Sequence, residues 1–171
     1  MVVLVVMISK YSPLVLGFMF VLFSAAGQAE CKGQLTVGGK AIPLTNVSAH
    51  FEKGFFDESK NDTVVIFSDQ PLTDAQTRDR FALSSQAEKG KLHFVQVVIS
   101  AKGQIVNVSV GHDAFKFAPG GGSTEHKFTS KVMDAKTIAG KVFTAGPQKG
   151  PMSGPSYEYN IEFSAPIQPR R

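Results

Sequence analysis

From Glu30 onward, hydrophobic and polar residues alternate in stretch after stretch. The clearest case sets Tyr157, Tyr159, Ile161 and Phe163 against Glu158, Asn160, Glu162 and Ser164. Residues two apart share a face of a strand, so the pattern predicts a strand with one buried face. Val47, Ala49 and Phe51 against Ser48, His50 and Glu52 predict another over Asn46–Lys53. Gln34–Val37 and Lys40–Ile42 flank Gly38-Gly39, and paired glycines accept the positive φ of a two-residue hairpin turn. Thr63–Phe67 is β-branched or aromatic throughout, which predicts a central strand buried on both faces. Leu92–Ser100 and Gln104–Val110 pair across Ala101-Lys102-Gly103, and Glu125–Met133 and Thr137–Thr144 pair across Asp134–Lys136.

One segment departs from this period. Pro71 interrupts strand character, Thr73 can cap a first turn, and Asp74 puts negative charge at the favoured end of the helix dipole. From there to Lys89, Ala75, Phe81, Ala82 and Ala87 form a narrow apolar stripe that Gly90 ends, predicting one surface helix packed on a sheet. Gly54–Asp62, Gly111–Thr124 and Gly146–Pro155 read as loops, with Pro119–Gly122 the most flexible point. The fold class is therefore mostly β: an antiparallel meander of about eight strands, closed as a barrel or stacked as a sandwich, with one surface helix.

The N-terminus has a different character. Lys10 precedes an apolar run from Pro13 to Phe23, then the small residues Ser24, Ala25, Ala26 and Gly27. Gly27-Gln28-Ala29 suits signal-peptide cleavage, so residues 1–29 are expected to be a signal peptide and residues 30–171 a single β-rich domain, periplasmic or secreted. The apolar run is shorter than a membrane span requires, so no membrane span is expected after cleavage. Loss of Lys10 lowers the formal charge from +4 to +3, and the basic residues are scattered, which argues against a nucleic-acid partner. Cys31 is the sole cysteine, so stability must come from the core without an internal disulfide.

Few residues carry candidate chemistry. His50, His93, His112 and His126 lie on four different segments and form no metal-ligand spacing, so they read as unrelated surface histidines and no metal site is expected. Asp57, Ser59 and Asn61 offer oxygens at alternate positions as a calcium loop does. The loop lacks both the glycine at position six and the glutamate at position twelve, which leaves them weak candidates. Gly120–Thr124 lacks the Gly-Lys-Ser/Thr of a phosphate loop, and no cofactor is expected. His112 and Asp113 are the place to look for a catalytic pair, provided an irregular backbone lets their side chains meet and a serine approaches. Phe55, Phe56, Phe115 and Phe117 lie on or beside loops and are the candidates for holding a small apolar ligand at a barrel mouth. Asn46, Asn61 and Asn107 each begin an Asn-x-Ser/Thr pattern, which matters only in a eukaryotic secretory pathway.

The segments Gly33–Lys40, Thr63–Leu72, Thr137–Thr144 and Tyr157–Pro166 together resemble a group of short secreted bacterial β-rich proteins of no assigned function. The resemblance implies a Gram-negative periplasm and adds no activity. The function expected first is a non-catalytic binding or accessory protein of the cell envelope, for a small apolar ligand or an envelope protein. The alternatives are a small secreted hydrolase using His112 and Asp113, and a structural or assembly protein that pairs through a sheet edge.

Overall fold

The computed structural model describes residues 29–116, 119–121 and 124–169, so residues 1–28 of the expected signal peptide and Phe117 lie outside the described residues. The described chain forms a curled mixed sheet, a half-barrel of ten strands. They are β1 (Glu30–Val37), β2 (Lys40–Leu44), β3 (Asn46–Lys53), β4 (Asn61–Ser68), β5 (Phe94–Ile99), β6 (Ile105–Gly111), β7 (Gly120–Gly121), β8 (His126–Met133), β9 (Thr137–Thr144) and β10 (Tyr157–Gln168). The order β2-β1-β10-β3-β4-β5-β6-β7 forms the main path, and β9, with β8 beyond it, joins β10 on its other side. The sheet is mostly antiparallel but is not a simple meander, because the last strand lies in its middle.

β10 is the seam. It pairs antiparallel with β1 over Tyr157–Ser164 and with β9 over Asn160–Pro166. Beyond the end of β1, Ile167 and Gln168 pair in parallel with Ala49 and His50 of β3. Its odd-numbered residues from Tyr157 to Ile167 are all buried, and none of the residues between them is. The alternation read from Tyr157 to Ser164 therefore continues through Pro166, which faces out. At the β1–β2 hairpin, Gly38 and Gly39 have φ of 55° and 81°, as the two-residue turn requires.

β4 is buried on both sides, as its composition predicts. Val65 and Phe67 point into the main core with Leu35, Val97, Ile138 and Ile161, where the Phe67 and Phe163 rings meet edge-on at 4.9 Å. Val64 and Ile66 face the other way, into a second cluster with Phe94, Val98, Leu83, Ala87 and Leu92. Each such side chain contributes about 1.5–3 kcal/mol by leaving water, so both faces of this sheet must stay covered.

The cover is two short helices, α1 (Asp74–Arg78) and α2 (Arg80–Glu88), where the sequence predicts one. Thr73 and Gln76 form a capping box at α1. The break falls at Asp79, whose carboxylate accepts the Ala82 N–H at 2.9 Å and so starts a second helix. The buried positions are Thr77, Leu83 and Ala87, and Phe81 is 91% exposed, so the predicted stripe is corrected: Leu83 takes the inward place. Within the stretch read as a loop, Gly120 and Gly121 pair with Ser109 and Val108 of β6 as the short strand β7.

Candidate functional site

The strongest concentration of chemistry sits where β5 begins and β6 ends. Phe94 pairs with Gly111, so the residues just outside that pair, His93 and His112, become neighbours. Their ring centroids are 4.9 Å apart with planes tilted by 48°. The chain turns immediately after β6, and in that turn the Asp113 side chain folds back to put Oδ1 2.9 Å from His112 Nδ1. His93, His112 and Asp113 each offer a ligand atom within 4.8 Å of the others, and no other group of three His, Cys, Asp or Glu side chains is so placed among the described residues.

His93 is held from behind. Asp69, one residue past β4, accepts the His93 backbone N–H at 3.0 Å through Oδ1 and meets His93 Nδ1 at 2.6 Å through Oδ2. The proton therefore sits on Nδ1, and Nε2 is free to act as a base or ligand. His112 accepts the Ala114 N–H at Nδ1, at 2.9 Å. Burial holds its imidazole below the ordinary value, His93 and Lys40 push in the same direction, and the Asp113 carboxylate opposes them. Phe115 closes this corner: its ring is buried and meets both His112 and Tyr157 edge-on.

The other two histidines are structural. His126 is buried and its Nδ1 lies 2.8 Å from the Tyr159 hydroxyl, with the two rings stacked. His50 is buried on β3, with Nε2 3.3 Å from Glu52, which also pairs with Arg80 of α2. The reading of four unrelated surface histidines is therefore corrected: two lie in the interior and two meet.

The predicted catalytic pair does come together, because Asp113 lies in a turn and not in a strand. Ser84 of α2 borders the same gap as His112, a space of about 10 Å³, yet among the described residues no serine hydroxyl is hydrogen-bonded to either partner. Asp57 binds the Ser59 backbone and hydroxyl and pairs with Lys60, while Asn61 opens β4 opposite Lys53.

Phe55 and Phe56 are 75% and 81% exposed on the β3–β4 loop, edge to face at 5.0 Å. Phe56 stands on the rim of a surface hollow of about 340 Å³, with Gln104, Ile105, Val106, Lys127 and Phe128 among its walls. Phe115 takes no part in that hollow; it belongs to the core beside the histidines. Comparison with protein-family models, curated proteins and solved structures returned no match.

Proposed function

We propose that this is an exported, non-catalytic binding or accessory protein of the cell envelope, and that it holds a small apolar ligand with an anionic end beside Phe56. The observation that carries the reading is the exposure of Phe56 on the rim of a hollow walled by Ile105, Val106 and Phe128. A ligand that covers the ring recovers about 1.5–3 kcal/mol now lost to water. Lys127 lines the hollow and no carboxylate does, which favours a fatty-acid-like occupant over a cationic one. The half-barrel interior is filled by its own side chains, so the ligand would sit on the outside of the sheet.

The alternatives have less support. A hydrolase needs an activated nucleophile, and His112 has none bonded to it among the described residues. Assembly through a sheet edge needs an open edge. The β8 edge carries Lys127, Lys131 and a bulge, and the β2 edge carries Lys40 and Pro43, features that discourage a further strand.

Export rests on the leader pattern, and a cut after Ala29 leaves the described sheet whole because β1 starts at Glu30. Mass spectrometry of the protein recovered from its own cells should find a chain beginning near Glu30; retention of Phe18–Phe23 would overturn export. For the ligand, a fluorescent fatty-acid analogue should bind the parent, and Phe56→Ala should weaken it by about tenfold. Phe81→Ala, on the helix surface, should not. Failure of the parent to bind, or equal binding by Phe56→Ala, overturns the ligand assignment.

A further inference from the structure

We propose that His93, His112 and Asp113 form a binding site for one divalent transition-metal ion, zinc being the best match, with Asp69 as the positioning residue behind His93. The site is separate from the Phe56 hollow, so the two readings stand or fall independently.

The donor set is two imidazoles and one carboxylate, a combination that suits zinc and leaves a fourth position for water. The Asp69–His93 contact has the form in which a carboxylate fixes the tautomer of a ligating histidine. It occupies Nδ1 and leaves Nε2 as the lone-pair donor. Asp69 is itself anchored twice to the β5 backbone, accepting the His93 N–H and donating its own N–H to the His93 carbonyl at 3.1 Å. The ring therefore has a fixed direction before any ion arrives.

His112 supplies the second observation. Its Nδ1 accepts the Ala114 N–H and lies 2.9 Å from a carboxylate oxygen of Asp113, which places an imidazole and a carboxylate side by side. An imidazole nitrogen has a single lone pair, so ligation through Nδ1 would exchange the Ala114 N–H for the ion. The spacing is a few tenths of an ångström below that of two ligands of one tetrahedral zinc, roughly 3.3–3.6 Å for bonds of about 2.0–2.2 Å. His93 offers a ligand atom within 4.8 Å of the other two, so closing by at most about 1.5 Å brings it to ligand spacing. Asp113 is more than half exposed and can follow.

The test is calorimetric titration of the untagged, chelator-stripped protein with zinc. One ion per chain should bind at micromolar affinity or tighter, and calcium and magnesium should give no such binding. Asp113→Asn and His93→Gln should each weaken zinc by at least about tenfold, and Asp69→Asn by about 10–100-fold. Asp57→Asn, in the distant acidic loop, should leave the affinity unchanged. Cobalt in place of zinc should give the visible absorption of a four-coordinate site, lost in Asp113→Asn. Asp113 is exposed, so its variant keeps the test decisive if the histidine variants fold poorly. Absence of zinc binding, unchanged affinity in Asp113→Asn, or calcium binding as strong as zinc would each overturn the proposal.

Discussion

The Phe94 ring lies over the bare face of Gly111, its partner on the neighbouring strand: a Cβ placed on Gly111 would fall 2.1 Å from Phe94 Cε1. This pair sets the spacing of the strands just where His93 and His112 meet. Phe94 cannot swing aside freely, because it is buried under α2. Gly111→Ala is therefore expected to destabilise the protein by about 1–3 kcal/mol through overpacking. Urea denaturation measures the loss, and the ring resonances of both histidines should shift. Unchanged stability would mean that the ring relocates at no cost.

Acid should weaken the fold. Burial lowers the proton affinity of His112 and His126 in the folded state below the ordinary value of 6.5. Between the folded and unfolded values the unfolded chain binds more protons, so this contribution is fully present above about pH 6.5 and is lost as pH falls through the folded values. Glu52, held low mainly by its bond to His50, adds a loss in the same direction within the carboxylate range. The urea midpoint should be lower at pH 5.5 than at pH 7.5, and His126→Gln should flatten the difference. A midpoint that rises on acidification would contradict the assignment.

Cys31 should be a poor nucleophile despite its place near the start of the domain. Its thiol donates to the Leu44 carbonyl at 3.1 Å, and burial pushes its pKa up from 9.0 to about 11. At pH 8 the thiolate fraction is then roughly a hundredfold smaller than in the unfolded chain. Iodoacetamide labelling followed by mass spectrometry should be slow in buffer and fast in urea. Equal rates would show that β1 frays.

Asp79→Ala should cost about 1 kcal/mol, the usual value for losing an N-cap. The Ala82 N–H would lose its acceptor and the start of α2 should loosen. Thermal melting checks the magnitude, and hydrogen exchange at Ala82 and Leu83 checks the place.

The elements were legible wherever local chemistry decides them. β3 and β9 have the bounds that their alternation predicts, and β10 extends its pattern by four residues. The helix break is hidden because a single aspartate inside a run of helical spacing marks a new cap only once its side chain is seen to take the Ala82 N–H. Phe81 was misplaced for the same reason: a second helix start resets which residues face inward. The histidine cluster depends on something finer. Reading outward from the β5–β6 turn, Ile99 lies opposite Ile105, and straight counting would set His93 opposite Gly111. A bulge between Val98 and Ile99 shifts the ladder by one, and His93 arrives beside His112. Nothing in the local sequence announces that extra residue. The position of β10 was equally out of reach, since a central place for the last strand is a matter of long-range pairing.

That place has a consequence for the order of events in the cell. β1 is made first, yet one of its two partners is β10, made last, and β9 and the end of β3 wait for the same strand. A chain emerging from the ribosome can form the β1–β2 hairpin and the run from β3 to β6, but the two halves have no shared strand until Tyr157–Gln168 exists. The domain therefore completes itself only once its last described strand has been made. Until that strand pairs, the two halves stay open along the edges it will cover, and Tyr157–Gln168 acts as the clasp that fastens them.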